Sequence, residues 1–145
     1  MIFHDLYFVS SDVEINFSLG QKQTVLLMCG LRGQLNQMNK YPFIVDQHSD
    51  YIKISKSGFY KLTYHDFYIA NGTIVVYNET NNKDLHRIEL FNTATYKFIS
   101  LTTVFQIELT DLADHNEISI FIETKNNAKL RGKGFSSFYI KYLHD

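Results

Sequence analysis

The chain has 145 residues, a formal net charge of −1 and one cysteine, with 45 % hydrophobic and 15 % aromatic residues. Near-neutral charge excludes a general electrostatic pull towards nucleic acid or an anionic membrane. A single thiol, Cys29, excludes an internal disulfide, and the length fits one domain that buries about 70 % of its unfolded surface without staples.

The opening residues carry no basic stretch, and His4 and Asp5 interrupt the apolar ones. No secretory signal is read there, and no run reaches the ~18 to 20 apolar residues of a membrane helix. Synthesis in a host cytoplasm is therefore the expectation. Ile2, Phe3, Leu6, Tyr7 and Phe8 form an apolar N-terminal segment that would be sticky alone. It is a candidate anchor onto a partner, which sets residues 1–22 apart from a main domain at 23–145.

Val13, Ile15, Phe17 and Leu19 alternate with polar residues and predict a half-buried strand. Residues 24–31 are apolar on both parities, as in a strand covered on both faces, and enclose Cys29 as an inert buried thiol. A polar loop at 34–40 and short strands at 43–45 and 51–54 precede the clearest element. In Gly58-Phe59-Tyr60-Lys61-Leu62-Thr63-Tyr64-His65, the residues Tyr60, Leu62 and Tyr64 share one face. Gly58 stands where a positive φ or close packing is expected.

Asn71-Gly72 is a strong turn signal and predicts a hairpin of 59–69 with 73–77. A polar loop at 78–83 and a weaker strand at 85–91 follow. Ile99, Leu101, Thr103, Phe105, Ile107 and Leu109 then hold one parity over a long strand, and Ile118, Ile120 and Ile122 another. Asp111, Asp114, Asn116 and Glu117 make an acidic turn between them. A basic loop with Lys125, Lys129, Arg131 and Lys133 precedes a closing strand with Phe138, Ile140 and Tyr142. Nine or ten short strands without a helix imply an antiparallel sandwich or barrel.

The stretch Gly58-x-Tyr60-x-Leu62-x-Tyr64-His65 resembles the signature strand of the complement-type globular heads, relatives of the tumour necrosis factor (TNF) fold. Residues 100–109, the acidic turn and 118–122 resemble that family's late strands, and Phe135 to Ile140 its closing strand. Leu62, Ile52 and Ser137 depart from the pattern. The resemblance implies an all-β, ten-stranded antiparallel jelly-roll sandwich that assembles as a homotrimer. The residues add a motive of their own. Phe59, Phe67, Phe121 and Tyr139 oppose the core parity of their strands, and a second apolar face calls for a covered interface. With Phe138 and Tyr142 they are the candidate trimer contacts.

No chemistry stands out beside this. The six histidines lack metal-ligand spacing, the acidic turn lacks the order of a calcium loop, and no nucleophile or acid–base set is visible. No catalytic residue, cofactor, metal, nucleic acid or membrane is expected, and the chain is read as a non-enzyme. The favoured function is a structural virion protein of a bacteriophage, a trimeric capsid decoration or head-fibre component. Its partners would be further copies of itself and the major capsid protein or another virion protein, and its location the virion. The alternative is a receptor- or glycan-binding module of a phage or bacterial surface that uses loop aromatics or the basic loop on a host-surface glycan.

Overall fold

A computed structural model describes residues 5–9, 15–17, 22–24, 39–40, 42–45, 51–91, 94–124, 128–131 and 137–145. These residues form two antiparallel sheets packed face to face, and every described regular element is a strand. In chain order the strands are β1 (Asp5–Val9), β2 (Ile15–Phe17), β3 (Lys22–Thr24), β4 (Asn39–Lys40), β5 (Phe43–Val45), β6 (Ile52–Ile54) and β7 (Gly58–Ile69). There follow β8 (Gly72–Asn78), β9 (Lys83–Leu90), β10 (Lys97–Ile107), β11 (Asn116–Thr124), β12 (Ala128–Leu130) and β13 (Ser137–His144). Ten strands were expected; several of these thirteen are two- or three-residue segments.

The first sheet is built on β7. Strand β10 runs along one edge, from Lys97 opposite Tyr68 to Ile107 opposite Gly58. The other edge takes β13 and, beyond its end, the short β12. β1 then lies along β13, with Leu6 opposite Ile140 and Phe8 opposite Phe138, and β2 lies along β12. Strands β1 and β2 both fall within the N-terminal strand and anchor segment assigned to residues 1–22. The second sheet runs β4-β5-β6-β11-β8-β9, with β3 added to β11.

The alternation in the sequence sets the sandwich interior. Tyr60, Leu62 and Tyr64 of β7 meet Leu101, Phe105 and Ile107 of β10, and Ile74, Val76, Ile118, Ile120 and Ile122 from the second sheet. The Tyr60 ring stacks on Phe105 at 6.0 Å and meets Phe43 edge-on at 5.8 Å. Both buried tyrosines give their hydroxyl proton to a partner, as a buried phenol must. Tyr60 donates to the carbonyl of Lys56 at 2.6 Å and Tyr64 to the Asp66 carboxylate at 2.5 Å. Asp66 is itself fully buried on the core parity and accepts a second bond from the amide of Phe67 at 2.7 Å.

Two glycines meet specific demands. Gly58 has φ +151, and a Cβ there would lie 2.6 Å from the Tyr142 ring and 2.8 Å from the His144 carbonyl. Both anticipated reasons for glycine apply together. At Gly72 a Cβ would lie 2.0 Å from the Glu123 carbonyl oxygen, so only glycine lets β8 start against β11.

The predicted hairpin through Asn71-Gly72 is not formed. β7 belongs to the first sheet and β8 to the second, so the turn carries the chain across the sandwich. Turn chemistry marks a reversal but not the sheet in which the next strand pairs. The acidic turn between β10 and β11 crosses in the same way. β8 instead forms a hairpin with β9, closed over a turn in which Asn82 takes φ 54, a conformation asparagine tolerates.

Candidate functional site

Two features stand out on this frame: the outer face of the first sheet and a groove at the open side of the sandwich.

Residues directly opposite each other in an antiparallel pair share a face. On β7 the outward set is Phe59, Lys61, Thr63, His65, Phe67 and Ile69. Phe98 of β10 lies opposite Phe67. On the other side of β7 the Arg131 amide donates to the Phe67 carbonyl at 2.9 Å. Arg131, Phe67 and Phe98 thus make one row across β7. The Arg131 guanidinium lies 5.7 Å from the Phe67 ring and 5.8 Å from the Tyr96 ring, within cation–π range. Phe98 packs on Phe67 at 5.2 Å and stacks on His65 at 5.7 Å. Its side of the row remains open: Phe98 is 51 % exposed, and Val104, further along β10, is 56 % exposed.

The six candidate contact residues do not form one surface. Phe59, Phe67 and Tyr139 share this outer face, each half-buried. Phe138 does not belong with them. It is 2 % exposed and stacks on Tyr64 at 4.5 Å inside the sandwich. Its even parity on β13 sends it inward with Ile140. Tyr142 shares that parity and packs against the margin of the core, edge-on to Tyr60 at 5.5 Å. Phe121 lies on the second sheet, 4 % exposed and edge-on to Tyr77 at 5.8 Å. Phe98 was missed, although its spacing from Ile99 already placed it outside the core parity.

The basic loop is in part a strand. Lys129 lies within β12, opposite Ile69, and Arg131 immediately follows it; Lys125 and Lys133 lie outside the described residues. Of the candidate anchor, Leu6, Tyr7 and Phe8 lie in β1, whose backbone pairs with β13. Ile2 and Phe3 lie outside the described residues, as does Cys29.

The second feature is a groove of about 330 Å³ where the free edges of β9 and β10 face each other. Asn78, Asn81, Lys83, Asp84, Gln106 and Glu108 supply its polar wall, and Leu85, Val104 and Phe105 its apolar one. Beside it, Arg87 bridges Asp84 at 2.7 Å and Glu123 at 3.1 Å. The hydrogen bond to Asp84, with that to Glu123, holds its guanidinium pKa above the ordinary value.

In the acidic turn His115 contacts Asp114 at 2.8 Å and Glu117 at 3.6 Å. The hydrogen bond from His115, reinforced by its charge, holds the exposed Asp114 carboxyl below its ordinary pKa. Among the described residues no three histidine, cysteine or carboxylate side chains are grouped to hold a metal ion.

The two face-packed antiparallel sheets form a β-sandwich, and solved structures of the TNF fold align with it. No protein-family model matches the chain, and no curated protein matches its sequence. Solved structures do match. The crystal structure of murine APRIL at pH 8.5 has a TM-score of 0.63 at 14 % identity, covering 98 % of this chain and 100 % of that one. Eiger TNF from S. frugiperda has a TM-score of 0.56 at 13 % identity, covering 99 % and 94 %. The PRD1 vertex protein P5 also aligns, over 97 % of this chain and 95 % of its own, but at a TM-score of 0.49 and 12 % identity that likeness carries no weight. At such identities the similarity shows the fold.

Proposed function

We propose that the protein is a non-enzymatic assembly module: a virion structural protein, used as a capsid decoration or head-fibre component, that forms a homotrimer through the outer face of its first sheet. The row Arg131–Phe67–Phe98 carries this reading. A flat sheet face with a half-exposed phenylalanine ring at its free edge is a surface that association covers. The TNF-type fold supports it as a scaffold for presenting such a face. The virion role draws on the composition, rich in Asn, Lys, Ile, Tyr and Phe and with a single cysteine. An anchor role for the N-terminal segment now falls on β1, an end strand of the sheet path. Among the described residues its outer edge is unpaired and suits strand addition.

The native mass of the purified protein tests the assembly. A value near three times 17.0 kDa is expected, and a stable monomer at micromolar concentration would overturn it. Labelling of intact virus particles by an antibody against the protein tests the location. A second reading, a glycan-binding module, is favoured by the polar groove between β9 and β10.

A further inference from the structure

We infer that the groove between β9 and β10 is a binding site for a neutral saccharide, one or two pyranose rings in length. The inference deepens the glycan-binding reading and does not depend on the trimer.

Asn78 carries the argument. It is the last residue of β8, lines the groove and is 2 % exposed. Its Oδ1 accepts two backbone bonds of the turn, from Thr80 at 3.0 Å and Asn81 at 3.2 Å. Two N–H donors on one oxygen fix which end of the amide is which. The Nδ2 group is thereby held in place as a donor, and among the described residues it has no hydrogen-bond partner. A donor that the protein leaves unpaired on a groove-lining amide is open to an acceptor that enters the groove. The turn has thus oriented a donor towards the groove without needing it for the fold.

The remaining walls supply what a polyhydroxylated ring requires. A sugar hydroxyl donates one bond and accepts others, so its site needs donors and acceptors side by side. The Lys83 ammonium has no ion-pair partner among the described residues, and Asn81 contributes only its backbone amide to the turn. Gln106 donates from Nε2 to Glu108 Oε1 at 3.0 Å. That bond leaves the Gln106 carbonyl and the second Glu108 oxygen as acceptors. Leu85, Val104 and Phe105 form an apolar wall for the C–H face of a ring.

Charge selects the class. The lining sets one cation, Lys83, against Asp84 and Glu108, and the Arg87 that bridges Asp84 is shared with Glu123. The walls therefore carry a small negative surplus that disfavours an acidic sugar, while the Asn78 and Gln106 amides suit neutral hydroxyls. The volume, about 330 Å³, lies at the lower end of small-molecule sites. The groove shares Val104 and Gln106 with the outward face of β10 but lies at the other end of that strand from the association row. Phe98 lies eight residues along β10 from Gln106, roughly 26 Å at strand rise.

Saturation-transfer NMR on the full chain tests the site. The probes are the methyl glycosides of glucose, galactose, mannose and N-acetylglucosamine, each at about 10 mM, with glucuronate and glucosamine as charged comparators. At least one neutral glycoside should receive signal. Its Kd should rise at least tenfold in both Gln106→Ala and Lys83→Ala, and stay unchanged in Lys129→Ala. Silence from every neutral glycoside, stronger binding of a charged comparator, or undiminished binding by both groove variants would each overturn the proposal. The native mass of the same sample separates the two ideas: a monomer that binds the glycoside retains the site and loses the trimer, and a trimer that does not bind does the reverse.

Discussion

Replacing Phe138 by alanine separates a core ring from an interface ring. The side chain is 2 % exposed and lies 4.5 Å from the Tyr64 ring, nearly parallel to it. Tyr64 is itself pinned through its hydroxyl to buried Asp66, so the surroundings are poorly able to collapse into the vacated space. Phenylalanine-to-alanine changes at such sites cost about 3–5 kcal/mol. Near this chain length each kcal/mol lowers Tm by about 3–4 °C, so Phe138→Ala should melt roughly 10–20 °C below the parent. Thermal unfolding followed by circular dichroism at one fixed protein concentration measures this, since assembly makes Tm concentration-dependent. A variant that melts within about 3 °C of the parent but loses native mass would show that Phe138 faces a partner, and would refute its placement in the sandwich.

The outer row predicts the opposite pattern. Phe98→Asp places a charge on a half-exposed ring position and should lower the native mass while the isolated fold persists. Native mass spectrometry reads the one and circular dichroism the other. Gly58→Ala must adopt φ +151 and clear Tyr142 and the His144 carbonyl. It should cost about 2–5 kcal/mol from backbone strain and overpacking together, and a urea midpoint unchanged from the parent would contradict that. Asp114 has a lowered folded-state pKa, set first by its hydrogen bond to His115 and then by the imidazole charge. Its contribution to stability is therefore present above about pH 4 and lost as pH falls through the lowered value. An NMR titration should find the Asp114 pKa returning upward in His115→Asn.

The open face of the first sheet gives these experiments a common frame. Association through Arg131, Phe67 and Phe98 would cover the guanidinium–ring stack, where exclusion of water strengthens a cation–π contact. The groove lies at the far end of β10 and would be reached from the side of the sandwich.

Alternation along the chain determined the strands and the inward sets. Tyr60, Leu62 and Tyr64, the series from Ile99 to Ile107, and Ile118 with Ile120 and Ile122 are all buried as their period of two demands. Gly58 was legible as a glycine at the head of a strand, whereas the contacts that exclude a side chain, Tyr142 and the His144 carbonyl, came from the fold. Three things were decided only by tertiary structure. Asn71-Gly72 announces a reversal, but pairing with β11, which the missing side chain at Gly72 permits, places the next strand in the other sheet. Parity says that Phe138 and Phe98 point to opposite sides of a sheet, but only the packing shows which side is filled. The groove joins Asn78 to Gln106 across strands of different sheets, and no local pattern records a contact between residues so far apart in sequence. Sequence periodicity reports one strand's two faces, whereas sheet membership and site assembly depend on long-range pairing between strands.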